Sequence, residues 1–125
     1  MIAGVGIDIV DIHRVASIVE RYGERFLERI LTPAELGRCR ALLDPAPYLA
    51  GRFAAKEAAF KALGAPRGSG IGFHDVSVDS SGGRPVITLG GRARERAAEL
   101  DVRDVHVSIS HDGGCAVAVV ILERP

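Results

Sequence analysis

Glu57 and Lys61 stand four residues apart in the stretch Arg52-Phe53-Ala54-Ala55-Lys56-Glu57-Ala58-Ala59-Phe60-Lys61-Ala62-Leu63-Gly64. On a helix that spacing puts a carboxylate and an ammonium on one face, about one turn apart. A carboxylate can hold a metal ion and an ammonium can hold phosphate oxygens, so the pair is a platform for a metal-bound phosphate. The same two residues also describe an ordinary surface ion pair, and spacing alone does not choose between these readings. A second carboxylate, Asp8, ends a run rich in Ile and Val. It either binds something at the strand's end or is a solvated acid closing the strand. His111 precedes the turn Asp112-Gly113-Gly114. At a hairpin tip it can meet an anion or bond its own backbone. Arg14, Arg21 and Arg25 repeat at offsets of seven and four, so on one helix they form a basic stripe, whether for docking an acidic partner or for solvation.

These groups need elements to position them. Residues 52–64 are mostly strong helix formers, stopped by Gly64 and then Pro66. Ala54, Ala58 and Ala62 make a smooth stripe where another element can approach closely, and Phe53 and Phe60 can seat the helix in a core. Residues 2–10 read as a strand with Ala3, Val5, Ile7 and Ile9 on one face and Gly4, Gly6 and Asp8 on the other. Two glycines leave that second face open to close approach. Asp11 can cap the helix that follows, in which Ile12, Val15, Val19 and Tyr22 face a core. Phe26, Leu27, Ile30 and Leu31 return the chain inward. Thr32-Pro33-Ala34-Glu35 spells a capping box with proline in the first turn, opening a helix to about Leu43. Asp44-Pro45-Ala46-Pro47 breaks it and opens the next.

Residues 65–72 read as a mobile connection. Gly68-Ser69-Gly70-Ile71-Gly72 lacks the spacing and the Lys-Ser/Thr ending of a phosphate-cradling loop. Strands are predicted over 75–79 and 86–89, joined by a turn at Ser80-Ser81-Gly82-Gly83. A short helix over 92–100 turns Ala93, Ala97 and Leu100 inward. A final hairpin alternates Val105, Val107 and Ile109 with His106, Ser108 and Ser110, and returns over 115–123. His106 reads as a structural or rim residue.

The 125 residues suit one domain, and a 47% hydrophobic share is enough for a core. Sixteen acids balance sixteen bases, which argues against a generic polyanion binder such as a nucleic-acid protein. The longest apolar run, residues 115–122, is too short for a bilayer, and no secretory leader pattern opens the chain. A cytoplasmic protein without membrane attachment is the expectation. Cys39 and Cys115 match no metal-site spacing.

Four stretches, taken together and in order, resemble one family. They are Gly6-Ile7-Asp8-Ile9-Val10-Asp11 with Arg14, residues 26–36, Gly51-Arg52-Phe53-Ala54-Ala55-Lys56-Glu57-Ala58-Ala59-Phe60-Lys61-Ala62, and Val107-Ser108-Ile109-Ser110-His111. The resemblance is to the holo-acyl-carrier-protein synthases, the short single-domain phosphopantetheinyl transferases, and it runs over essentially the whole chain. The Phe-Ala-Ala-Lys-Glu-Ala run is its most specific part. Phe53 stands where several relatives carry Trp, and Asp112 where some carry a hydroxyl residue.

The resemblance implies an α+β fold of antiparallel sheet packed with helices, in the order β-α-α-α-β-β-α-β-β, with residues 1–125 as a single transferase domain. It implies transfer of the 4'-phosphopantetheine arm of coenzyme A to a serine hydroxyl of an apo acyl carrier protein, releasing adenosine 3',5'-bisphosphate. Asp8 and Glu57 are then ligands of Mg2+, with Lys61 near the pyrophosphate and Arg52 and His111 on coenzyme A phosphates. Arg14 and Arg21 become a carrier-docking face, joined by Arg25 on helical geometry. A homotrimer with sites between subunits is the assembly it implies. Carriers of fatty-acid and of polyketide synthesis both stay open. Two rivals remain: a magnesium phosphohydrolase acting on a nucleotide, and a carrier-binding module without catalysis.

Overall fold

The computed structural model describes residues 1–65 and 69–125. The chain runs β1 (Ile2–Asp11), α1 (Ile12–Tyr22), α2 (Glu24–Ile30), α3 (Pro33–Arg40), α4 (Ala46–Leu63), a 3-10 turn (Phe73–Asp75), β2 (Val76–Asp79), β3 (Val86–Leu89), α5 (Gly91–Glu99), β4 (Asp104–Asp112) and β5 (Cys115–Glu123). This is the expected α+β class. The strands form two antiparallel sheets, one ordered β1-β5-β4 and the other β2-β3.

Local sequence explains most of the boundaries. The Asp11 carboxylate accepts from Arg14 N at 3.0 Å and starts α1. Thr32 and Glu35 complete the capping box of α3. Gly64 stops α4 in the left-handed region, at φ 62°. The second half of that expected stop, Pro66, lies outside the described residues, as do Arg67 and Gly68 of the connection expected over 65–72.

Three expectations are corrected. Gly23, at φ 59°, breaks the first helix, so α1 and α2 are separate and Arg25 does not continue the azimuth of Arg14 and Arg21. The order therefore has one helix more than expected. Tyr22, at the end of α1, is exposed and not inward. Helix α3 ends at Arg40, three residues before Leu43, which is fully exposed.

Helix α4 lies across one face of the three-stranded sheet. On β1 the inward residues are the glycines: a Cβ added to Gly6 would stand 1.9 Å from Ala58 O, and one added to Gly4 would stand 2.1 Å from Ala62 O. The stripe of small residues on α4 thus meets the glycine face of β1, backbone to backbone. The other face of β1 points away from the helix, and Val5, Ile7 and Ile9 are 54%, 60% and 65% exposed. Ala3 leaves that row, because the register of β1 shifts between Ile2 and Gly4 and Ala3 packs on the core. Beside the exposed row, Val117, Val119 and Ile121 of β5 are half-buried on the same face.

Two clusters form the core. One joins Ala54, Ala58 and Leu63 of α4 to Val76, Ile87, Ala93 and Val120. The other joins Val15, Leu27, Ile30, Leu31, Cys39 and Leu49. Among the described residues no helix is long and apolar enough to cross a membrane.

Candidate active site

Asp8 projects from the glycine face of β1 toward α4, since the strand's two-residue period carries Gly4 and Gly6 to the same side. Glu57 and Lys61 project from α4 toward it. Lys61 does not pair with Glu57. Its Nζ donates to Asp8 Oδ1 at 3.0 Å and to Ile7 O at 2.9 Å, crossing from helix to strand. The ordinary surface ion pair of Lys61 with Glu57 is thereby replaced by an interelement bond.

A cavity of about 290 Å³ opens between α1, β1 and α4, lined by Asp8, Asp11, Arg14, Phe26, Phe53 and Glu57. Burial pushes the Glu57 carboxyl above the ordinary glutamate range; the facing Asp8 carboxylate adds to this, and Lys61 opposes it. Two carboxylates with only one close ammonium create a place for further positive charge. Among the described residues no group of three or more His, Cys, Asp or Glu could hold a metal ion. Magnesium accepts one or two carboxylates when phosphate oxygens and waters complete its shell, so this pair fits that ion only together with a phosphate ligand.

Arg52 lies on a different face of α4. It precedes Glu57 by five positions, which rotates the two side chains roughly 140° apart by the helical period. It is 9% exposed, donates to Ser80 Oγ at 2.7 Å, and stands 4.4 Å from the Tyr48 ring centroid. Its Nε is buried with no hydrogen-bond partner among the described residues. A second cavity, of about 210 Å³, lies here between Arg38, Tyr48, Arg52, Ser80 and Ser81.

His111 packs against Gly51, whose missing side chain gives it room. Its Nε2 lies 2.9 Å from Pro47 O. A carbonyl only accepts, so Nε2 carries the proton and Nδ1 is the nitrogen left for another partner. Asp112 is exposed at the same hairpin end. Among the described residues neither Arg52 nor His111 bonds to Asp8, Glu57 or Lys61. The structure therefore gathers Asp8, Glu57 and Lys61 at one place, with Arg14 on its rim, and leaves Arg52 and His111 apart from it. Arg14 and Arg21 are exposed on α1, and Arg25 is exposed on α2. His106 is a rim residue, 3.0 Å from Glu123.

The sequence reading missed the most buried charged group. Lys56 is fully buried, and its Nζ lies 2.7 Å from Glu35 Oε1. Burial lowers the Lys56 ammonium, against the pull of the Glu35 carboxylate. The available signal was the helical line Arg52, Lys56, Ala59 and Leu63, at offsets of four, three and four, which places Lys56 on a core face.

Comparison with known proteins follows from this geometry. The family model described as the 4'-phosphopantetheinyl transferase superfamily matches residues 4–120. A holo-[acyl-carrier-protein] synthase of Solidesulfovibrio magneticus is 51% identical, covering 98% of this chain and 99% of its own. Among solved structures, the holo-[acyl-carrier-protein] synthase of Neisseria meningitidis superposes with a TM-score of 0.88 at 35% identity, over 99% of this chain and 100% of that one. That of Helicobacter pylori, solved in complex with coenzyme A, gives 0.81 at 39% identity, over 95% and 99%.

Proposed function

This chain belongs to the 4'-phosphopantetheinyl transferase superfamily, within the holo-[acyl-carrier-protein] synthases, and from that premise we propose the reaction and the residues that carry it. Residues 1–125 act as one transferase domain. The enzyme moves the 4'-phosphopantetheine arm of coenzyme A to a serine of apo acyl carrier protein. The serine oxygen bonds to the phosphorus bearing the pantetheine arm, the phosphoanhydride bond breaks, and adenosine 3',5'-bisphosphate departs.

The observation that carries this reading is the convergence of Asp8 and Glu57 from two elements on one cavity, with Lys61 bonded to Asp8 beside it. Asp8 and Glu57 would hold Mg2+ through carboxylate oxygens. When bound, that ion supplies charge stabilisation at the pyrophosphate. Lys61, already on Asp8, is within reach of phosphate oxygens entering the cavity and offsets their charge. Phe26 and Phe53 form an apolar part of the cavity wall. Arg52 offers a buried, unshared Nε to a phosphate of coenzyme A. His111 would meet a phosphate through Nδ1, donating only as the imidazolium. Arg14 at the cavity and Arg21 two turns further along α1 would receive an acidic carrier, with Arg25 contributing from α2.

The chain is further proposed to work as a homotrimer with its sites between subunits. Two observations support this. Val5, Ile7 and Ile9 form an exposed aliphatic row on the back of the strand that carries Asp8. The phosphate-directed groups also lie apart, Lys61 and Arg52 on different faces of α4 and His111 on β4, so one coenzyme A can reach both sets more readily across a subunit boundary.

The test is release of adenosine 3',5'-bisphosphate from coenzyme A and magnesium, with and without apo carrier. The reading requires release that depends strictly on the carrier. Release to water alone would make the chain a phosphohydrolase, and carrier binding with no release would make it a binding module.

A further inference from the structure

The ion pair of Glu35 and Lys56 has no part in the roles assigned above, and its surroundings define what it can do. Lys56 directly precedes Glu57 on α4. All three of its ammonium protons have partners: Glu35 Oε1 at 2.7 Å, Val76 O at 2.7 Å and Phe73 O at 3.0 Å. Glu35 is committed as fully. Its Oε1 also accepts from Thr32 N at 2.8 Å, and its Oε2 accepts from Val78 N at 2.7 Å. One buried pair thus ties the start of α3 and the strand β2 to the middle of α4.

On its sheet side helix α4 has two other directional ties among the described residues, both made by exposed groups near its ends: Lys61 Nζ to Asp8 Oδ1 and Ile7 O, and Pro47 O from His111 Nε2. Elsewhere on that side Ala58 and Ala62 meet Gly4 and Gly6. Small residues allow close approach but raise no ridges to interlock, so such a contact resists rotation and sliding weakly. Hydrogen-bonded buried charges have directional partners and tolerate little of either motion. Successive residues of a helix project about 100° apart, so holding the azimuth of Lys56 also holds that of Glu57. Arg52, one turn earlier on the Lys56 side, turns with the same rotation.

We propose that the Glu35–Lys56 pair is a positioning element for phosphopantetheine transfer, fixing the rotation and register of α4 and so the placement of Glu57 opposite Asp8. Both residues act through the helix and neither touches substrate. The inference rests on the reading of Asp8 and Glu57 as the reacting site.

The variant Glu35→Gln/Lys56→Met removes both charges at nearly constant shape and keeps a glutamine for the capping box. In the full chain, thermal unfolding is measured beside kcat, carrier KM and the magnesium concentration giving half-maximal rate. The variant is expected to unfold cooperatively, with kcat lower by about 10–100-fold, since a displacement of about 1 Å can cost that much. Half-saturating magnesium should rise several-fold, while carrier KM stays within about twofold because the docking arginines lie on α1 and α2. A folded variant with kcat within about threefold of the parent overturns the proposal, as does a loss carried by carrier KM alone. Should the double variant not fold, Glu35→Gln is assayed per folded molecule by circular dichroism, and parent-like kcat there overturns the proposal equally. A parent chain that transfers nothing would instead refute the reading of the site, so the two failures are distinct.

Discussion

Replacing Gly6 by alanine adds one methyl group, and the structure says where it must go. The new Cβ would lie 1.9 Å from Ala58 O and 2.7 Å from Ala62 N, which are the acceptor and donor of one α4 hydrogen bond. Ordinary van der Waals contact begins at 3.4 Å, so strand and helix must part by roughly 1.5 Å. Both colliding groups are backbone, and no side-chain rotation can relieve the clash. Overpacking of this kind costs about 1–3 kcal/mol, and the stiff partners place Gly6→Ala near the top of that range. For a chain of this length that is roughly 10 °C in Tm. The same separation moves Glu57 from Asp8 and strains the Lys61 bond to Asp8, so kcat should fall about 100-fold even where the protein is folded. The assay is thermal unfolding together with carrier modification well below the new Tm. Gly37→Ala is the control. Gly37 sits within α3 with nothing within 4 Å of an added Cβ, and alanine there should stabilise by about 0.5–1 kcal/mol. A Gly6→Ala variant with parental Tm and rate would refute the claim that this contact sets the site.

Other outcomes follow from single groups. Asp8→Asn and Glu57→Gln should each abolish most turnover with the fold retained by circular dichroism, because each loses a charged oxygen ligand at constant shape. In the metal-free chain the Glu57 carboxyl should titrate above the ordinary glutamate value of about 4.5, since burial and Asp8 raise it, as followed by carboxyl NMR shifts against pH. By the same linkage the folded state binds that proton more tightly than the unfolded state, so the group's contribution to stability is lost as pH rises through the folded value. Glu57→Gln should therefore raise Tm more at pH 7 than at pH 4, by thermal scans at both. Arg14→Glu or Arg21→Glu should raise carrier KM strongly, lower kcat less, and reduce sensitivity to salt, by initial rates at two ionic strengths with coenzyme A affinity unchanged in calorimetry. If the proposed trimer forms through the exposed aliphatic row, Ile7→Glu should leave the chain folded and lower the mass seen by light scattering to that of a monomer.

Local chemistry was readable where neighbours in sequence decide it. The Asp11 cap, the capping box at Thr32 and Glu35, the Gly64 stop and the terminal hairpin all depend on residues a few positions apart. The glycines of β1 were legible as an open face, and the alanines of α4 as a smooth stripe, yet nothing in either segment names the other as its partner. Gly23 was hidden because a lone glycine within an apolar helical period is often tolerated, and only its left-handed φ breaks the stripe before Arg25. The bond of Lys61 to Asp8 was hidden because sequence sees spacing along a helix and not the strand beneath it. Glu35 was read as a cap and Lys56 passed over, since their bond closes across 21 residues through a tertiary contact. Arg52 and His111 fell apart from the carboxylates for a related reason: Arg52 stands on a different face of α4 from Glu57, and His111 comes from β4 to the start of that helix.

The central claim is that Asp8 and Glu57 serve a transfer to carrier protein, and an intact-mass measurement tests it most directly. Apo acyl carrier protein is incubated with coenzyme A, magnesium and either the parent chain or its Glu57→Gln variant. The account predicts that the carrier gains the mass of one 4'-phosphopantetheine group on its serine with the parent, and almost none with the variant in the same time. An unmodified carrier with the parent, or equal modification by both chains, would contradict it.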